Sequence, residues 1–181
     1  MKATGIVRRI DELGRVVIPK EIRRTLRIKE GDPLEIFTDR DELMLKKYSP
    51  IATLERFSKA TARSLNDLSG KLALICDTDS VLHAFGEGKK DLDGKRLSPE
   101  MDAVLKERRS YMANANEGGD IIPITSYPQE TITAQIIVPI VSNGDCLGAV
   151  VILSNKDGAK MDGSDMSLAR LTADILANQF E

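Results

Sequence analysis

Apolar and polar positions change period several times along the 181 residues, and each change marks an element. "TGIVRRI" and "RVVIP" hold short β-branched runs on either side of the turn-like "DELG" and predict two strands. From Pro19 the spacing becomes helical. At about 100° per residue, Lys20, Arg23, Arg24 and Arg27 fall within an arc roughly 100° wide, with Ile22 and Leu26 on the other side. Pro19 suits the first helical position, where a missing amide loses no partner. After the breaker "EGDP", "LEIFTD" and "ELMLKKY" predict two more strands around a tight "RD" turn. So short a stretch can hardly bury a core alone. Val16, Val17, Ile18, Ile22, Leu26, Leu34, Ile36, Leu43 and Leu45 are therefore expected to form a core shared by two chains.

Beyond "KKYSP" the pattern changes. Ser49 and Pro50 form a helix start, with serine as cap and proline in the first turn. Ile51, Leu54, Phe57, Thr61, Leu65 and Leu68 recur at three- or four-residue steps and predict one amphipathic helix that links and dimerises. "KLALICD" and "VLHAF" predict strands around "TDS", and Ser98-Pro99 repeats the cap before a helix ending near Ser110. "TITAQIIVPIVSNGDCLGAVVILS" predicts two apolar strands joined at Asn143-Gly144, a pair suited to a type I′ turn. The last helix, residues 163–180, carries two apolar stripes, one through Leu168, Leu171 and Ile175 and one through Ala169, Ala173, Leu176 and Phe180. Two stripes call for two partners. Residues 70–130 hold little else that is diagnostic.

The charge distribution sharpens this division. The net charge is −2, yet residues 1–50 carry five Lys and seven Arg against four Asp and five Glu, net +3. Within residues 1–29 the count is nine basic to three acidic, and residues 51–181 are left at −5. A basic head on an acidic body points to a polyanion partner at the head alone. With no Trp, four Phe and three Tyr, the chain has few rings for stacking single-stranded bases, so duplex DNA is the better polyanion. No apolar run reaches a membrane span and "MKATGIVRRIDE" lacks the core of a secretion signal, so a cytoplasmic location is expected.

Catalytic chemistry is sparse. The lone histidine, His83, falls in a predicted strand, and "GEGKK" lacks the spacing and the following Ser or Thr of a phosphate loop. Cys76 and Cys146 have no metal-ligand spacing and read as core residues of a reducing compartment. No metal, cofactor or enzymatic activity is expected. The alternative is a ligand-binding protein or thiol-dependent reductase, which needs two thiols within bonding distance and at least one accessible.

The run "TGIVRRIDELGRVVIPKEIRRTLRIKEGDPLEIF" followed by "LKKY" resembles the swapped-hairpin DNA-binding domain of the AbrB-like transition-state regulators, over residues 1–49. The resemblance implies a dimer of interleaved strands whose basic surface meets the major groove. It implies that Arg8, Arg15, Arg23 and Arg24 match the family's DNA-contacting arginines. Lys20 and Arg27, on the same cationic arc, complete the candidate DNA-binding set. Antitoxins share this kind of head but usually end in a disordered toxin-binding tail, unlike the ordered pattern here. The later element order and "VPIVSNGDCLGAVVI" are similar to a GAF domain, a sensing and dimerising module, with a PAS-like domain as the structural alternative.

The expected fold class is α+β, with a swapped-hairpin DNA-binding domain at residues 1–50 and a GAF-like sensor and oligomerisation domain at 51–181. This pairing is similar to transcription regulators, activators or repressors, of sporulation-stage genes. Expected partners are duplex DNA and further copies of the chain, as a head dimer and a body-bridged tetramer, with a small-molecule effector of unknown identity.

Overall fold

In the computed structural model, which describes residues 5–126 and 131–180, the chain divides into two units, Met1–Tyr48 and Ser49–Glu181. In the first unit, helix α1 (Lys20–Leu26) precedes an antiparallel pair, β1 (Leu34–Asp39) and β2 (Glu42–Lys47). The pair turns at Arg40-Asp41, with Arg40 at φ 49°, and its register sets Ile36 opposite Leu45 and Thr38 opposite Leu43. Because side chains alternate faces, Leu34, Ile36, Leu43 and Leu45 share one side of this ribbon.

Two expectations are corrected in this unit. The segments predicted as strands before and after "DELG" form no strand in the single chain, and Thr4 lies outside the described residues. The turn between them does form: the Asp11 N–H donates to the Arg15 carbonyl (3.1 Å) and the Gly14 N–H to the Asp11 carbonyl (3.0 Å). A strand exists only where a neighbour completes its ladder, and this chain offers these segments none. The helix is also shorter than its spacing suggested, with Pro19 one position outside it and its last turn closing before Arg27.

The second unit is a five-stranded antiparallel sheet in the order β4-β3-β7-β6-β5. Its strands are β3 (Leu72–Asp77), β4 (Val81–Phe85), β5 (Tyr111–Asn114), β6 (Ala134–Ser142) and β7 (Asp145–Ser154). The central strands are apolar over most of their length because both faces are covered. One face packs against helices α3 (Glu55–Ser69) and α5 (Gly163–Ala177), burying Leu65, Ile75, Ile136, Ile152, Ala169 and Leu176. The other meets α4 (Pro99–Glu107) and the segment around Ile124, burying Leu74, Met101, Leu105, Ile137 and Val151.

Local signals account for most of these boundaries. The Ser49 and Ser98 hydroxyls accept the Ala52 and Met101 N–H groups (3.3 and 2.9 Å), each with proline in the first turn. The single helix predicted from Ile51 is broken at Leu54 (φ −97°, ψ 36°) into a short α2 (Pro50–Thr53) and α3. Asn143 and Gly144 take φ 50° and 84° in the β6–β7 turn, as their order in the chain predicts. Gly148 admits β3 against β7: a Cβ there would lie 2.0 Å from the Cys76 carbonyl oxygen. The short edge strand β5 was not anticipated, since its four residues carry no clear alternation.

Candidate nucleic-acid interface

The basic residues of the head are placed by a turn and a helix. Asp11 organises the turn: its Oδ1 accepts the Leu13 and Arg15 N–H groups (3.0 and 2.8 Å), and its Oδ2 accepts the Arg15 Nε–H (2.8 Å). The Arg15 backbone and side-chain donors hold the Asp11 carboxyl below its usual range. Arg15 is thereby oriented while its guanidinium stays exposed. Asp11 thus fixes the Arg15 side chain, and the sequence pattern shows it only as part of a turn. The signal was available as an acid four residues before an arginine inside a strongly basic stretch.

Lys20, Arg23 and Arg24 are exposed on α1, and Arg8 is exposed in the preceding segment, its guanidinium donating to the Val7 carbonyl (3.3 Å). Arg27 departs from the arc drawn for it. It lies beyond the helix in the left-handed conformation (φ 53°) and is half-buried. Its N–H donates to the Arg24 carbonyl (3.3 Å) and that of Ile28 to the Arg23 carbonyl (2.8 Å), the paired bonds of a Schellman cap. The Lys47 ammonium lies 3.5 Å from the Arg27 carbonyl and 3.1 Å from an Asp32 carboxylate oxygen. Arg27 thus closes the helix with its backbone. The structure brings Lys20, Arg23 and Arg24 together on one helix. It describes Arg8 and Arg15 on the preceding hairpin-like segment.

The reactive side chains described in the body are held in structural contacts. His83 Nε2 is 3.1 Å from the Ser58 hydroxyl, but that hydroxyl donates to the Leu54 or Glu55 carbonyl (3.0 and 3.2 Å) and the serine is fully buried. The pair joins β4 to α3. Cys76 and Cys146 are free thiols, and burial pushes both up from the ordinary thiol range, which suppresses the thiolate. Among the described residues no three His, Cys, Asp or Glu side chains converge as a metal site requires, and no helix is long and apolar enough to cross a membrane.

A basic head with an exposed apolar ribbon is thus followed by a helix-flanked sheet. Residues 53–181 match the family described as stage V sporulation protein T C-terminal, transcription factor, and residues 7–53 match the MazE antidote-toxin recognition family of bacterial antitoxins. Stage V sporulation protein T of Bacillus subtilis (strain 168) is 48% identical over 182 residues, covering 100% of this chain and 99% of that protein. The transition state regulatory protein AbrB of the same organism is 53% identical over 74 residues, 41% of this chain and 77% of its own. A GAF domain from an Acinetobacter phosphoenolpyruvate-protein phosphotransferase superposes with a TM-score of 0.56 at 13% identity, over 71% of this chain and 86% of that one, and so shares the fold of the body. The chain belongs to the stage V sporulation protein T family of transcription factors, with an AbrB-like head and a GAF-like body in an α+β fold.

Proposed function

We propose that the head, residues 1–50, dimerises and binds duplex DNA through Arg8, Arg15, Lys20, Arg23, Arg24 and Arg27, and that the body, residues 51–181, assembles head dimers and tunes them. The protein then acts in the cytoplasm as an activator or repressor and not as an enzyme. One observation carries this reading: the head concentrates exposed cations and exposed apolar side chains in the same short unit. Val16, Val17, Ile36, Leu43 and Leu45 are between 40% and 71% exposed in the single chain. A second copy has the matching surface, and interleaved strands would supply the missing ladder partners. Arginines can read guanine edges bidentately while lysine and arginine contacts to phosphate supply affinity.

In the body, Phe57 and Leu68 on α3 and Leu171 and Ile175 on α5 are exposed. Pairing of these helices with another chain would bridge two head dimers into a tetramer with two DNA-binding faces. The test is a salt-dependent gel shift of the full chain on operator DNA. Arg24→Ala should weaken binding about tenfold, an amount within the roughly 1–3 kcal/mol of one bidentate contact, and leave the dimer folded. Equal affinity at about 150 mM salt overturns this assignment of the surface.

A further inference from the structure

A groove of about 220 Å3 lies within the body where α3 ends and β3 begins. Its lining includes the ammonium-bearing Lys71 and Lys156, the carboxylate-bearing Glu87, Asn66, and the apolar residues Leu72 and Ala159. The walls are fixed by short contacts. Asn66 Nδ2 donates to the Lys71 carbonyl (2.7 Å). The loop that carries Glu87 lies so close that a Cβ on Gly86 would stand 2.9 Å from both Asn66 Nδ2 and Leu72 Cα. Glu87 and Lys156 are exposed and have no ion-pair partner among the described residues.

The lining selects among ligand classes. It contains no arginine, so it lacks the planar fork that favours phosphate. The carbonyl end of α3, reached at Asn66 and Ser69, is the negative pole of that helix and favours an ammonium over an anion, as does Glu87. Lys71 and Lys156 favour a carboxylate. The volume falls below the roughly 300–1,000 Å3 that drug-sized ligands occupy, which suits a single small metabolite.

We propose that this groove binds a small zwitterion with an apolar substituent, of the α-amino-acid class, and that its occupancy biases how α3 and α5 pair with another chain. The regulatory half rests on the assembly proposed above. Lys71 Nζ lies 2.8 Å from Oδ1 of Asp165, a residue only 4% exposed in the first turn of α5. A ligand carboxylate that competes for Lys71 therefore acts on the start of α5, while the ligand ammonium acts on the end of α3. These are the two helices that expose Phe57, Leu68, Leu171 and Ile175.

The experiment titrates the full chain calorimetrically with valine, leucine, methionine and phenylalanine. Three control probes accompany them: 4-methyl-2-oxopentanoate, which lacks the ammonium, 3-methylbutylamine, which lacks the carboxylate, and inorganic phosphate. At least one amino acid should bind saturably, with leucine's two truncated analogues and phosphate each weaker by about tenfold or more. Lys156→Ala and Glu87→Gln should each weaken the amino acid about tenfold, and Glu87→Gln should leave the oxo acid unaffected. Absence of saturable binding, phosphate binding more tightly than any amino acid, or both variants binding like wild type overturns the site. Sedimentation with and without the bound amino acid reads the regulatory half: a shift in association supports it, and unchanged assembly overturns it. No DNA enters these measurements, so their failure is separable from failure of the Arg24→Ala gel shift.

Discussion

The head and the body solve the burial problem in different ways. Every buried apolar side chain of the described core, from Ile51 onward, belongs to the body. Among the described residues of the head only Pro19 is buried, whereas eleven of the seventeen exposed large apolar residues lie there. The body has enough chain to cover both faces of a sheet with its own helices. Among its described residues the head has a two-stranded ribbon and one helix of seven residues, and its apolar side stays exposed. Hydrophobic burial drives folding in both, but in the body it is intramolecular, and in the dimer proposed for the head it would come from a second molecule.

The largest expected effect breaks the body and leaves protein concentration irrelevant. Gly148→Val would force a side chain into the Cys76 carbonyl across the β3–β7 ladder. Urea unfolding should show a loss of more than about 4 kcal/mol, because neither backbone can shift without opening the central sheet. Val17→Asp should act differently. Val17 is 71% exposed in the single chain, so the aspartate meets no penalty until dimerisation buries it. Sedimentation should then show loss of the head dimer, with DNA binding lost alongside. A Val17→Asp protein that remains a dimeric DNA binder places residue 17 on the surface of the assembly and breaks the contrast drawn between the units.

Arg27→Gly sharpens the comparison from the side of the backbone. Removing Cβ from a left-handed cap should stabilise the head by about 1 kcal/mol, read as a raised midpoint in thermal unfolding. The same change removes one cation, so the salt slope of DNA binding should fall by about one. Stability and affinity would then move in opposite directions at one position.

The smallest effect concerns His83 in the body. Burial lowers its pKa, opposed by the Asp93 and Glu55 carboxylates and reinforced by Lys59. The folded chain therefore binds fewer protons than the unfolded chain below about pH 6.5, and stability falls as pH drops through that value. His83→Gln should flatten this part of the stability profile. An unchanged slope would detach His83 from α3–β4 packing.

Several features were legible because their causes are local. The cap serines at 49 and 98, the Asn143-Gly144 turn and the β4 run Val81–Phe85 each depend on residues within one turn or one strand. On α5, Ala169, Ala173 and Leu176 are buried while Leu171 and Ile175 are exposed, so the two stripes seen in the sequence separate except at Leu168, which is half-buried and packs on the core beside the second stripe. The break at Leu54 was not legible, since Leu54 continues the helical spacing and only the backbone geometry interrupts it. The groove at Lys71 was equally hidden, because Asn66, Glu87 and Lys156 are remote in sequence and meet only through sheet order.

From the sequence alone came the basic head, the acidic body and the cationic face of α1, because charge and periodicity are properties of residues in order, while the family came from the resemblance its motifs carry. The tertiary structure decided the rest. It separated Arg27 from the helical arc, since a helix ends where its carbonyls find cap donors. It showed that the segments around "DELG" make no ladder within one chain, since a strand is defined by a partner that no local pattern can supply.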